Sequence, residues 1–438
     1  MDFQACLTEI VAGLDQPDGR GSGTPGGEAA VAILAEALDR YGLAAPSAGR
    51  LQTFDLATRE ASGEGVILGS SATRVAGDGW EILPGSFPVT LREVRLVSGP
   101  FDVPRPLVPT GAPDDAPAVG WVAGAPTETA DFLPWIRADP DLALELESTF
   151  DLVTTPRLAK GANVLAWLPG AGGLEDEIVL VGAHHDHLAP RGATVFPGAD
   201  DNSSGVATTL CALASAAGTA PARRRSVIAV FFGGEEDGLW GSQAFVARPA
   251  APLGSLVVAV VADMVGRLDG RPLQVEGETS AGWVKAVGSA ALLHDLALVA
   301  TPGDGISDDA SFAVLGIPTV QLFTGRHEDY HERTDTPDRL DWVGLERITR
   351  FLADAIAELT VSDDLPDRGT VRDAGIRLGG VSAAGYPLVG EVIRGTRAAK
   401  RDAAPGQQVS GCGSWERVEP VQWLVDPGLV GCQFGTAR

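Results

Sequence analysis

Cysteine is scarce in this chain. Four residues, Cys6, Cys211, Cys412 and Cys432, are spread over 438 positions with no C-x-x-C spacing. That excludes a thiolate zinc site or a disulfide framework as the organising principle and points to a reducing, cytoplasmic setting. A local Cys412–Cys432 pair is the one bridge left open. Basic charge is short as well: 33 Lys and Arg face 58 Asp and Glu, a net charge of −25. Nucleic acids and anionic membranes need clustered cations, so neither is an expected partner. Long apolar runs are missing. Leu256–Ala262, among the longest, has seven residues, whereas a membrane-spanning helix needs roughly 20. The start, MDFQACLTEI, has no basic n-region before an apolar stretch, so no signal peptide is expected. No G-x-S-x-G occurs, which removes the serine-hydrolase elbow. No G-x-G-x-x-G follows an expected strand, and no P-loop lysine follows the glycine-rich GRGSGTPGG, which is expected to be a flexible entry to a helix.

What is present is ordinary globular material, with 45% hydrophobic and 21% charged residues, in a length that allows roughly three domains. Residues 28–41, EAAVAILAEALDRY, place apolar side chains on one helical face and stop at Gly42. From about 55 to 160, short β-prone runs alternate with Pro and Gly clusters, as in a small β-rich module or insertion. From 161 to 361 the pattern alternates. Strands are expected at Glu177–Ala183, Ser226–Phe232, Leu256–Ala262, Leu296–Ala300 and Pro318–Phe323. Helices are expected at Ser204–Ala217, Ser242–Ala247, Ala281–Leu293 and Trp342–Leu359. Continuous apolar strands between helices imply an α/β fold with a mostly parallel sheet covered on both faces. The expected organisation is 1–54 and 161–362 as one α/β domain, 55–160 as an insertion, and 363–438 as a small C-terminal module.

Histidine is rare too, yet five of the six fall in two clusters, VGAHHDHL and GRHEDYHERTD. His184 follows one strand, Asp200-Asp201-Asn202 opens a helix, Glu235-Glu236 follows a second strand, and Asp263 follows a third. Taken singly, each has an ordinary explanation: a structural histidine, a helix N-cap, a solvated turn. Asp263 is harder to dismiss, because a carboxylate directly after seven apolar residues needs a cation or strong donors. Ends of parallel strands meet at one edge of the sheet, so these groups converge. Imidazole and carboxylate without thiolate suit Zn, Mn or Co. One aspartate can bridge two divalent ions. Two dications, three carboxylates and a hydroxide then balance in charge.

In this order, GAHHDHL, PGADDNSSG, FFGGEEDGLWGS, ADMVG, ISDDASF, GIPTVQLFTG and DYHERTDTPD resemble the co-catalytic zinc aminopeptidases, a family that includes bacterial leucyl aminopeptidases and plasma glutamate carboxypeptidase. GSGTPGG and GANVLAWLPG resemble it as well. The resemblance implies a zinc exopeptidase fold and two divalent ions, zinc first. It makes His184 and Asp263 ligands of one metal, Glu236 and His331 ligands of the other, and Asp201 the bridge. It makes Glu235 the general base, Asp186 the residue that orients His184, and Tyr330 a donor to the oxyanion. Asp309 departs from it, since many relatives have His there. His185, His187 and His327 receive no role and are expected at the surface or behind the ligands. An insertion at 55–160 occurs in such relatives, often similar to the protease-associated domain. The tail, PLVGEVIRGTRAAKRDAAPGQQV followed by ERVEPVQWLVD, resembles the second half of a PDZ domain, with Gly406-Gln407-Gln408-Val409 in place of the usual G-D-x-I; it implies a contact with peptide or protein.

The function implied is removal of N-terminal residues from peptides. Carboxypeptidase or dipeptidase action on the same fold, a glutaminyl cyclase-like acyl transferase, and a non-enzymatic peptide-binding relative stay open beside it.

Overall fold

In the computed structural model, side chains are described for residues 1–58, 157–190, 194–218, 221–277, 281–302, 307–313, 315, 317–363 and 365; elsewhere only strand and helix paths are described. Helix α1 (Phe3–Leu14) starts where the Asp2 side chain accepts the Ala5 amide, and α2 (Pro25–Arg40) starts at Thr24, whose hydroxyl accepts Gly27 N–H ahead of Pro25. Strands β1 (Leu51–Leu68) and β2 (Phe150–Leu168) follow. Then come β3 (Ile178–His184), α3 (Gly205–Ala217), β4 (Ser226–Phe232), α4 (Trp240–Ala247) and β5 (Leu256–Ala262). The described chain closes through β6 (Leu273–Glu276), α5 (Ser280–Leu293), β7 (Leu298–Thr301), the one-turn α6 (Ala310–Ala313), β8 (Thr319–Phe323) and α7 (Trp342–Val361).

Eight of these strands form one sheet in the order β7-β6-β8-β5-β3-β4-β2-β1. Its centre, β8-β5-β3-β4, is parallel, as expected. The flanks are mixed: β6 is antiparallel to β8 but parallel to β7, and on the other side β2 is antiparallel to β4 and β1 to β2. Strand pleating divides the apolar runs between two cores. Val179, Val181, Ala183, Val227, Ala229, Phe231, Val258 and Val260 face the large core under α1, α2, α3, α5 and α7. Ile178, Leu180, Ile228, Val230, Phe232, Ala259 and Val261 face the smaller one, beneath Phe245 of α4 and Phe312 of α6. Such unbroken apolar strands are stable only when both faces are covered.

Three features differ from the sequence expectations. β1 and β2 pair from Leu51↔Val164 to Ala57↔Leu158, so the ends of segment 55–160 belong to the main sheet. Within that segment further strands run at Thr73–Val75, Trp80–Ile82, Thr90–Val97, Ala118–Ala123 and Trp135–Ala138. Next, α1 was not expected, and its Cys6 forms a disulfide with Cys211 of α3 across a Cα–Cα distance of 6.1 Å. A sequence separation of 205 residues hid this pairing. Last, the glycine-rich stretch before α2 is packed: a Cβ at Gly21 would lie 2.5 Å from Ala189 Cα. The PDZ-like tail and the Cys412–Cys432 pair lie outside the described residues, apart from the backbone of four strands between 376 and 436. Among the described residues, no helix is long and apolar enough to cross a membrane.

Candidate metal centre

The parallel strands deliver the site. His184 is the last residue of β3, Asp263 follows β5, and Glu235 and Glu236 follow β4 after a Gly-Gly turn. Asp201 lies in the tight turn Ala199–Ser204 that leads into α3, and the Asp201–Asn202 peptide is cis. His331 comes from the loop before α7, with a positive φ of 60°.

These side chains converge with one group at the centre. Asp201 Oδ1 is 3.3 Å from His184 Nε2, and Asp201 Oδ2 is 3.2 Å from His331 Nε2. His184 Nε2 is also 3.3 Å from Asp263 Oδ1. His331 Nε2 is also 3.1 Å from Glu236 Oε2. His331 Nε2 is buried yet has no aligned hydrogen bond; it faces the gap between two carboxylate oxygens, as a ligand nitrogen does. Glu235 Oε2 lies 3.9 Å from His184 Nε2. Two acid–imidazole triads are compact enough to hold an ion: His184 with Glu235 and Asp263, and His187 with Asp201 and Glu236. The donor set therefore fits a pair of divalent cations. Carboxylates packed this closely and buried need positive charge between them.

The two glutamates differ electrostatically. Burial, opposed by His184 and reinforced by Glu236, Asp263 and Asp308, pushes the Glu235 carboxyl well above the usual range. Burial also opposes ionisation of Glu236, but His331 and His187 outweigh it and hold that carboxyl well below the usual range. Asp201 is likewise lowered, with His184 and His331 overcoming burial and the Glu236 charge. Burial works against a charged His331 ring, yet Glu236 and Asp201 raise it to about 10. His184 is raised well above its ordinary value by Glu235 and Asp263, again against burial. Adjacent carboxyls pushed in opposite directions are the usual mark of divided roles.

Asp186 supports this arrangement differently from the sequence expectation. Its main-chain oxygen, 3.2 Å from His184 Nδ1, orients the ring, while its carboxylate oxygen is 3.8 Å away. The carboxylate instead accepts the amides of Glu235 and Glu236, at 3.2 and 3.3 Å, and the Ser22 hydroxyl. Tyr330 stacks on the His331 ring, with centroids 3.8 Å apart. Of the histidines without an assigned role, His185 and His187 are buried. His185 Nε2 lies 2.9 Å from the Ala162 carbonyl, and His327 Nε2 lies 3.0 Å from Asp200 Oδ2.

Several supporting residues were given no individual role from the sequence. Asn202 Nδ2 donates to the Ala262 carbonyl, and its Oδ1 accepts Gly205 and Met264 N–H, which joins the Asp201 turn to the Asp263 strand end. Asp335 Oδ2 accepts the amides of Asp200 and Asp201 and is 3.4 Å from Arg267 on its other oxygen. Ser307 and Gln321 donate to Asp263 Oδ2. Arg20, fully buried, donates to the carbonyls of Leu14, His185, Pro197, Gly198 and Asp201, and so ties the β3 end to the Asp201 turn. An arginine between glycines, in GRGSG, was the available hint.

A doubly covered α/β sheet thus carries, at its strand ends, adjoining acid–imidazole clusters that can hold divalent ions side by side. Residues 163–356 match the profile of Peptidase family M28, so the recognition drawn from the motifs holds for this segment. A curated relative, the probable lipoprotein aminopeptidase LpqL of Mycobacterium tuberculosis, is 28% identical over 272 residues, 53% of this chain and 52% of that protein. The chain thus spans about half the length of that relative. The aminopeptidase from Aneurinibacillus sp. strain AM-1 is a similar solved structure, with a TM-score of 0.54 and 17% identity over 84% of this chain and 95% of that one. The zinc aminopeptidase BSAP of Bacillus subtilis superposes with a TM-score of 0.54 and 16% identity, covering 83% and 98%. At these identities the likeness is one of fold.

Proposed function

We propose that this protein is a two-metal aminopeptidase that hydrolyses N-terminal residues from peptides. The observation that carries the proposal is the two-sided contact of Asp201, one oxygen toward His184 and the other toward His331. A bridging carboxylate needs that disposition, and ligands for two metals count against a one-metal acyl transferase. His184, Asp201 and Asp263 would hold one ion, and Asp201, Glu236 and His331 the other, with zinc the first candidate and Mn or Co alternatives. Bound there, divalent ions supply Lewis acidity to the peptide carbonyl and to the attacking water.

This chain's own groups do the rest. Glu235 takes the proton of the attacking water and passes it to the leaving amine. Burial, which pushes this carboxyl up in the metal-free site, favours the protonated form through which the transfer passes. Asp186 keeps both glutamate amides in place. Tyr330, fixed by stacking on His331, donates its O–H to the carbonyl oxygen as charge develops. A free α-ammonium group of the substrate would bind beside these acidic residues, as the family resemblance implies. The names of the M. tuberculosis and B. subtilis proteins support the same reading.

The test pairs metal analysis with a substrate panel. Purified protein is expected to hold close to two divalent ions, and chelation to abolish activity reversibly. N-acetylation of a good peptide substrate should prevent cleavage, and C-terminal amidation should not. Equal turnover of blocked and free N-termini would instead support the carboxypeptidase or dipeptidase alternative. The cytoplasmic location expected from the sequence sits poorly with the Cys6–Cys211 disulfide, because reducing compartments keep thiols free. An oxidising compartment is the location that this bond supports. Thiol trapping in cells distinguishes the two.

A further inference from the structure

We infer that His187 is a positioning residue of the second cation site, where its Nδ1–H holds Glu236 so that only one carboxylate oxygen faces the ion. The inference rests on the proposed role of Glu236 as a ligand. His187 lies in the turn after β3, and its amide donates to the Arg20 carbonyl at 3.3 Å. Its side chain is fully buried. One ring face meets Gly198, where a Cβ would sit 2.6 Å from the ring carbons Cγ and Cδ2; Gly198 also has a positive φ of 59°. The ring also meets His331 edge to face, with centroids 5.7 Å apart. The imidazole is thereby locked in one orientation.

In that orientation Nδ1 is 2.7 Å from Glu236 Oε1, while Glu236 Oε2 is 3.1 Å from His331 Nε2. The two oxygens of Glu236 therefore have different partners. A carboxylate only accepts, so the proton between them is on Nδ1. His187 Nε2 is then the ring's lone-pair nitrogen, buried without a partner. If Nδ1 were instead a direct metal ligand, Nε2 would carry a buried, unpaired N–H, the costlier of the two arrangements. The Nδ1 distance of 3.9 Å to Asp201 Oδ2 also leaves the bridging carboxylate free of His187. Without this donor, a buried oxygen of Glu236 loses its hydrogen bond and the carboxylate is free to swing.

The experiment measures zinc affinity by competition with a chromophoric chelator, together with visible spectra of the cobalt-loaded protein. Wild type, His187→Leu and His187→Asn are compared in full-length protein, with circular dichroism as the check on folding. The Asn amide nitrogen takes the place of Nδ1 and can donate to Glu236; Leu cannot. His187→Leu should weaken the second ion by about 10–100-fold, the usual worth of a hydrogen bond to a ligand. The first ion should change by less than about threefold, since His184 and Asp263 do not touch His187. His187→Asn should recover most of the loss with an unchanged cobalt spectrum. If Leu does not fold, His187→Gln, whose amide falls in the place of Nε2, serves as the variant without the donor.

Equal second-ion affinity in all variants would overturn the inference while leaving the two-metal reading intact. An Asn variant as weak as Leu, with altered cobalt bands, would overturn it in favour of direct ligation by His187. Wild type that binds no second ion would remove the ligand role of Glu236, and the inference with it.

Discussion

Replacing each of the adjacent glutamates by glutamine separates their roles. Glu235 Oε2 stands 3.9 Å from the nearest ring nitrogen, whereas both oxygens of Glu236 have partners at 2.7 and 3.1 Å. Glu235→Gln keeps the shape and the amide contact to Asp186 but removes the proton acceptor. General-base catalysis is worth on the order of 10²–10⁴, and at about 1.36 kcal/mol per decade this is roughly 2.7–5.4 kcal/mol of barrier. Kcat should fall by that factor with metal content near wild type. Stability of the metal-free protein should hold, because burial, with Glu236, Asp263 and Asp308, already favours the neutral Glu235 carboxyl, which the amide matches in charge. Glu236→Gln has the opposite signature. It removes charge-assisted contacts to His331 and His187, each worth about 1.5–3 kcal/mol, so stability and second-ion affinity should both fall, and added metal should partly restore activity. Steady-state kinetics, bound metal by emission spectrometry and urea unfolding of the chelated protein together read all of this. Loss of metal in Glu235→Gln with retention in Glu236→Gln would refute the assignment and make Glu235 the ligand in the triad with His184 and Asp263.

Metal uptake should release protons. His331, at about 10, and His184, raised well above its ordinary value, are charged near neutrality in the metal-free site and must become neutral to ligate. Calorimetry in buffers of different ionisation enthalpy should therefore find at least about two protons released at pH 7, and affinity should rise with pH; no release would contradict the ligand set. By the same linkage, the stability that His331 lends the metal-free protein is complete below its unfolded value of 6.5 and is lost as pH climbs toward 10. Reduction of the Cys6–Cys211 bridge should lower stability by roughly 2–4 kcal/mol, seen as a lower unfolding midpoint, and alkylation should reach these two thiols only after reduction. Arg20→Met should leave several buried carbonyls without a donor and cost at least about 3 kcal/mol in urea unfolding; an unchanged midpoint would show that water replaces the guanidinium.

The sequence alone determined the elements whose physics is local. The apolar runs Ser226–Phe232 and Leu256–Ala262 appear as strands with the expected bounds, and Trp342–Val361 is a helix within two residues of its expected end. Strand-end placement also made His184, Asp201, Glu235, Glu236 and Asp263 legible as one cluster, because chemistry-bearing residues after consecutive parallel strands must meet; His331 was added only by the family resemblance. Long-range pairing was decided only by the tertiary structure. Whether Cys6 finds Cys211 depends on how α1 lies against α3. Whether β1 and β2 join the main sheet depends on backbone partners more than a hundred residues apart. That Asp186 reaches the glutamate amides with its carboxylate and His184 with its carbonyl depends on the curl of one turn. Arg20 and His187 are single polar residues that no periodicity marks. They matter because, once the chain closes around them, buried carbonyls and a buried carboxylate have no water to turn to and must take their donors from the protein.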